Sequence, residues 1–514
     1  MKALKTSVLL IGFLIFGATS AFSQWYGTNT FEFQLGNLPY ERDTDFTTSY
    51  NQLNLYYDSD RISLYGKLEQ FFTPIEERNY FDLTQKRFQF QDDNFRLRVG
   101  NFYETLGRGL LLRSYDIPGS VFEDEFNRVR YAFFQDLEGV AIDYTTDQFE
   151  IKALRARPLF NPLPPNFEPD SLRRPDLVEA IQGNFYATDD LNIGGILMRS
   201  NSSTSEFREF GAFMMDFNLN DYVQLFSEYA FETKDAFSFD SEEDAFGFYA
   251  GTNFYYDAFG GSIEYKSYNN LRLGNGFNDP PSLIKEHTYP VLNRSTHVLN
   301  TSGETGIQIE VYYNFVDGHS ALFNYTRAEH GTFVDFDYVE YFFEGLYQFS
   351  DRLSFKTFFD YAIDDENGEE DRIAIGFIPE IIFQNSNSFI LDLQYQQFVR
   401  EEFDLSVGEF GDFVPQTSRN YYISFSYSFS SDFTISSVIE ASTDLQLTDN
   451  PRTIIDVEDN TRYWVGGNAL YKANSSNTIE VFAGKRRGGP ACTSGICYEI
   501  LDFEGVELRL TTRF

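Results

Sequence analysis

The stretch YYISFSYSF, Tyr421 to Phe429, decides how the chain is read. Tyr421, Ile423, Phe425, Tyr427 and Phe429 fall on one parity, and Tyr422, Ser424, Ser426 and Ser428 on the other. Successive side chains of a strand point to opposite faces, so this is a strand with one apolar face and one largely hydroxyl face. The pattern recurs outward in both directions. In GIQIEVYYNF (306–315), Ile307, Ile309, Val311, Tyr313 and Phe315 oppose Gln308, Glu310 and Asn314. In RISLYGKLEQF (61–71), Ile62, Leu64 and Leu68 oppose Arg61, Ser63, Lys67 and Glu69. The last ten residues, GVELRLTTRF, set Val506, Leu508, Leu510 and Phe514 against Glu507, Arg509, Thr511 and Arg513.

Composition fits a chain that alternates throughout. Aromatics make up 18% of the 514 residues, with 57 Phe and 34 Tyr, yet mean hydropathy is only −0.36. After the N-terminus we find no apolar run of 18 residues, which excludes spanning helices but not spanning strands. Residues 1–23 read as a signal peptide: Lys2 and Lys5 precede the apolar run Val8 to Phe16, and Ala21-Phe22-Ser23 offers a small-x-small cleavage site. Residues 24–514 then form one domain. Its first strand, carrying FEFQLG (31–36), starts too early for a plug domain. A net charge of −38 excludes a nucleic-acid partner, which calls for a basic surface.

The connections sort by length. Eleven short turns, such as Asp58-Ser59-Asp60, Asn220-Asp221 and Asp317-Gly318, take turns with twelve longer segments. The longer set includes 114–129, 158–176, 270–303, 328–332, 364–370, 400–417 and 487–504. Together they give about 24 strands, with 22 to 26 as the range. Long loops at one end and short turns at the other are the signature of a transmembrane antiparallel up-and-down β-barrel. A soluble sandwich has no reason to sort its loops this way.

The closing strand with its terminal Phe514 resembles the assembly signal of Gram-negative outer-membrane barrels. The segments GNFYETLGRGLLLRSYD (100–116) and GGPACTSGICYEILDFEGVELRLTTRF (488–514), with the SAFSQ junction, resemble outer-membrane barrels of the Bacteroidota. That resemblance implies a cell outer-membrane location with both termini in the periplasm. It implies the barrel assembly machinery, membrane lipid and lipopolysaccharide as partners. It transfers no catalytic residue.

Several clusters carry side chains capable of chemistry. Cys492 and Cys497, in CTSGIC, read as a small disulfide stapling an exposed loop; two cysteines without a histidine make a poor zinc site. In LGRGLLLRSYD (106–116) the apolar parity flips at Gly107 and Gly109, which predicts a bulge or an inward bend of a long fifth strand. Arg108 would then point into the lumen or pin a loop. The spacing fits no phosphate loop. The acidic runs DSEEDA (240–245) and DDENGEEDR (364–372) read as solvated loops with weak affinity for cations, because an EF-hand register centred on Gly368 fails at Ile363 and Ala374. Of the four histidines, His287, His297, His319 and His330, none shares a strand face with Ser and Asp. No enzyme, metal or cofactor is expected.

The polar parity of the strands nominates the lumen: Glu32, Arg61, Lys67, Glu69, Arg96, Arg98, Arg108, Glu264, Lys266, Glu310, Asp392, Gln394, Glu507 and Arg509. Two function classes follow. One is a passive or selective channel for hydrophilic solutes; the other is a non-conducting scaffold, adhesin or part of a larger export or uptake complex. A barrel of 24 strands without a plug is wide, so loops or a partner must close it. The segment 270–303 is the candidate. Leu271, Leu273, Phe277, Leu283, Ile284, Tyr289, Val291 and Leu292 are too many apolar residues for a free loop, and Arg272, Lys285 and Arg294 suit carboxylates such as Glu264 and Glu310. The alternative is an outward lobe.

Overall fold

The computed structural model describes residues 24–514 apart from 39–45, 125–126, 160–175, 202–207, 234–240, 272–277, 279, 299–302, 332–334, 385, 405–411, 445–453, 457–460 and 494–495. Residues 1–23, expected to form a signal peptide, lie outside them.

Alternating segments become the staves of one sheet. The first eight are β1 (Trp25–Gly36), β2 (Phe46–Asp58), β3 (Ile62–Phe72), β4 (Tyr80–Gln91), β5 (Phe95–Phe102), β6 (Leu137–Thr145), β7 (Phe149–Pro158) and β8 (Leu177–Tyr186). Next come β9 (Leu191–Asn201), β10 (Arg208–Asn220), β11 (Val223–Thr233), β12 (Ser241–Tyr256), β13 (Phe259–Asn269), β14 (Gly303–Asn314), β15 (Ser320–Gly331) and β16 (Asp335–Ser350). The last eight are β17 (Leu353–Asp364), β18 (Glu369–Ile382), β19 (Ser388–Asp404), β20 (Asp412–Ser428), β21 (Phe433–Ser442), β22 (Thr461–Lys472), β23 (Asn477–Arg486) and β24 (Phe503–Arg513). Each pairs antiparallel with its neighbours in sequence, and β24 pairs with β1 from Thr28↔Arg513 to Gly36↔Gly505. The result is a closed 24-strand antiparallel barrel, as the turn count predicts. Closure leaves no unpaired sheet edge.

Side chains alternate between an apolar outer face and a polar inner one. On β18, Ile373, Ile375 and Phe377 are exposed outside, while Arg372 and Ala374 on the alternate parity are buried. On β20, Tyr421 and Phe425 are exposed, and so is Phe429 just beyond its end, as the opening stretch requires. Next to the short turns the outer face is aromatic. Tyr222, Tyr256, Phe315, Tyr347, Phe349, Phe383, Phe429 and Tyr471 are all exposed there, with pairs such as Tyr222–Tyr256 at 5.5 Å and Phe429–Phe433 at 5.4 Å.

Measured between strand bounds, the eleven short turns hold two to five residues. The opposite end is more varied. Connections 103–136 and 270–302 are long, but 332–334 and 365–368 are as short as turns. The sequence placed longer loops at 328–332, 364–370 and 400–417. In that sector the strands run further than the apolar pattern shows, and β19 and β20 reach 17 residues each.

Candidate functional site: the loop-filled lumen

The described parts of two long connections fold back inside the barrel. The first, 103–136, enters as a tight hairpin (Thr105–Leu106 with Leu112–Arg113) and then a longer one (Tyr115–Glu123 with Arg130–Gln135). Leu106, Leu110, Leu111 and Leu112 are fully buried against the inner face of β6–β13, among Val178, Met198, Phe210 and Phe226. Gly107 and Gly109 adopt φ of +56° and +94°, and a Cβ on Gly107 would lie 2.6 Å from the Glu228 carboxylate. Only glycine fits such a turn. The Gly107 N–H donates to Gln182 (3.0 Å), the Arg108 N–H donates to Glu228, and the Arg108 guanidinium pairs with Asp216 over the Phe226 ring. Of the two expectations, a bulge or an inward bend of a long fifth strand, the inward bend holds, but not as part of that strand. β5 stops at Phe102, and the parity flip marks a separate inward turn.

The longer hairpin serves β1–β4 and β24. Arg130 pairs with Glu32 (2.5 Å), Glu123 (2.5 Å) and Glu507 (3.1 Å), and Arg509 reaches Glu32 at 2.5 Å. The Ala132 N–H donates to Glu69, which also accepts from Tyr50, both at 2.6 Å. A cavity of about 240 Å³ lies here, lined by Val121, Glu123, Arg130, Arg486, Glu507 and Arg509.

The second connection, 270–302, crosses to the opposite wall. Lys285 pairs with Glu310 (2.6 Å) and His287 with Glu340 (2.9 Å). Tyr289 donates to Glu344 and lies 4.0 Å from the Phe358 ring centre. After one helical turn, Pro290–Asn293, Arg294 pairs with Glu440, Ser295 donates to Glu369 (2.9 Å), and His297 meets Asp364 at 3.3 Å. The described part of this segment is thus an inner lining of β14–β21 and not an outward lobe. Burial pulls the His297 imidazole pKa down, but its hydrogen bond and charge pairing with Asp364 push harder, so the pKa sits above its ordinary value.

The nominated lumen residues divide. Lys67, Glu69, Arg98, Lys266, Glu32 and Glu507 are buried inside, with Lys67 4.4 Å from the Phe134 ring and Arg98 and Arg96 both 2.9 Å from Asp143. Lys266 pairs with Glu304 and donates to the Ser282 carbonyl, so it clamps the second segment. Glu264 accepts from Tyr249 (2.5 Å), and Asp392 accepts from Gln394 (2.9 Å). Arg61 differs: it lies in the turn before β3, 64% exposed and 3.5 Å from Asp92, because its strand begins only at Ile62. The reading of 364–372 as a solvated loop is also corrected. Asp364, Glu369 and Arg372 are buried because the 270–302 segment sits over them. Side chains of 241–244 lie outside the described residues. So do those of Cys492 and Cys497, although their backbones are direct partners in a hairpin. Sequence reasoning missed Glu340, Asp360, Arg372 and Arg400, which the inward parity of their strands could have nominated.

Neither His287 nor His297 is hydrogen-bonded to a serine or threonine hydroxyl among the described residues, so no nucleophile–base pair forms there. Fold and interior together define a wide closed barrel narrowed by its own connections. Residues 199–326, from the end of β9 into β15, match a protein-family model described as "Family of unknown function (DUF6029)". No curated protein matches the chain. Among solved structures the chain is similar to Pseudomonas aeruginosa OccK3 (OpdO), at 13% identity and a TM-score of 0.40, over 67% of this chain and 92% of that one. It is similar to P. aeruginosa OccK5 (OpdH) at 12% and 0.39, over 68% and 95%. The P. aeruginosa OccK2 (OpdF) structure, in complex with glucuronate, aligns at 11% and 0.37, over 66% and 92%.

Proposed function

We propose that the mature chain is an outer-membrane channel for hydrophilic solutes, with its lumen narrowed by the 103–136 and 270–302 segments. The apolar outer face and the aromatic belt beside the short turns suit a lipid bilayer, with the short turns and both termini on the periplasmic side. Lipid and lipopolysaccharide then surround the barrel, the assembly machinery inserts it, and catalysis plays no part. One observation carries the constriction: 270–302 is bonded to the inner wall through Glu310, Glu340, Glu344, Asp364, Glu369 and Glu440. Inward-facing charges such as Arg96, Arg108 and Asp392 line the remaining space and set solute preference. Replacing residues 272–300 with a short Gly-Ser linker tests this in planar bilayers. Single-channel conductance and sensitivity to large antibiotics should rise. Unchanged conductance in a correctly inserted variant overturns the constriction, and silence of both proteins favours the non-conducting scaffold.

A further inference from the structure

The 270–302 segment meets the wall at a cluster with chemistry of its own. We propose that His287, Glu340 and Asp360 bind one divalent transition-metal ion, which fastens the segment to the barrel. The three residues come from separate elements: the inward segment, β16 and β17. Each offers a ligand atom, and these atoms lie within 4.8 Å of one another. All three side chains are almost completely buried; His287 Nε2 faces Glu340 Oε1 at 2.9 Å, and Glu340 Oε2 and Asp360 Oδ2 are left without a hydrogen-bond partner. Buried polar atoms are normally satisfied, so two orphaned carboxylate oxygens beside an imidazole call for a ligand.

The charge balance points the same way. Arg372 faces three carboxylates, at 2.9 Å from Glu340, 2.9 Å from Asp360 and 3.3 Å from Glu369. The next cation, Arg400, lies 3.6 Å from Glu369 but is held by Asp444 at 2.9 Å. The His297 imidazole answers Asp364. Carboxylates outnumber the cations that face them in this buried cluster, and burying such charge is costly. A divalent ion would add positive charge where it is short. Arg372 touches Glu340 Oε1 and Asp360 Oδ1, so it orients both carboxylates while their other oxygens remain available. Calcium and magnesium prefer all-oxygen sites, whereas an imidazole with two carboxylates suits zinc or manganese. The inference concerns attachment of the segment and stands whether or not the barrel conducts.

The test uses the folded mature barrel in detergent, stripped with EDTA, loaded with zinc chloride and desalted. Elemental mass spectrometry should find one more zinc ion per chain in the parent than in His287→Gln or Asp360→Asn. Equal zinc in parent and variants overturns the site. Because a variant can unseat the segment, the unmutated protein supplies a second readout. Zinc should raise its thermal transition, and a large excess of calcium chloride should not displace the ion. Absence of a zinc-dependent shift, or ready displacement by calcium, refutes the assignment.

Discussion

Gly27 and Phe514 exchange backbone hydrogen bonds: the Gly27 N–H donates to the Phe514 carbonyl at 2.9 Å, and the Phe514 N–H donates to the Gly27 carbonyl at 3.1 Å. These two bonds lie at the end of the seam where the last strand meets the first. A Cβ on Gly27 would fall 2.8 Å from the Phe514 ring and 2.5 Å from the Asn54 carbonyl. Gly27→Val should therefore cost about 1–3 kcal/mol by overpacking, read from urea unfolding in lipid vesicles. Deleting Phe514 should lower outer-membrane levels while export continues. Equal surface levels of deletion and parent contradict the assembly role.

The lipid face makes a second prediction. Phe425 is 40% exposed on the outer wall, and Ser424 beside it has the opposite parity. Phe425→Arg should cost about 2–4 kcal/mol if the site lies near the bilayer midplane, whereas Ser424→Arg should cost much less. Equal stabilities of the two variants, or fractionation of the parent as a soluble protein, count against a membrane barrel.

The His297–Asp364 pair gives the 270–302 segment a pH dependence. His297 stacks on Tyr338 at 4.5 Å and feels Asp364, Glu304, Glu366 and Lys266 around it. Its pKa is raised in the folded protein, so this contribution is fully present below the ordinary imidazole range and is lost as pH rises through the raised value. Amide protection factors at residues 287–298, corrected for intrinsic exchange, should fall as pH rises above the ordinary imidazole range, and Asp364→Asn should flatten the response. A flat profile in the parent refutes it.

Cys492 and Cys497 stand opposite each other in the hairpin of 489–493 and 496–500. Direct antiparallel partners have Cα separations of about 4.5–5.5 Å, within the range a disulfide spans. Intact-mass measurement after alkylation should find two thiols only in reduced protein. Two free thiols in unreduced protein exclude the bond.

The wall of the barrel was legible because its signals are local. Period-2 alternation in YYISFSYSF and the Asp, Asn and Ser turns need only neighbouring residues, and they fixed both strand number and topology. The interior was only partly legible, because its partners are far apart in sequence. The apolar content of 270–303 announced a buried segment, but nothing near His287 points to Glu340, 53 residues on. Asp364, Glu369 and Arg372 look solvated in DDENGEEDR because the residues that cover them come from elsewhere. Arg61 shows the limit of parity alone: at the end of a strand, parity no longer says whether a side chain is inside.

The order of the chain also dictates when the passage narrows. The 270–302 segment precedes β14, yet most of its docking partners lie on β16–β21, as far along as Glu440, 146 residues beyond Arg294. Seating the segment therefore requires β16–β21 to be in place, through contacts between residues far apart in sequence, which form slowly. Truncation beyond β15 would therefore do more than shorten the wall: it would strand the segment that narrows it.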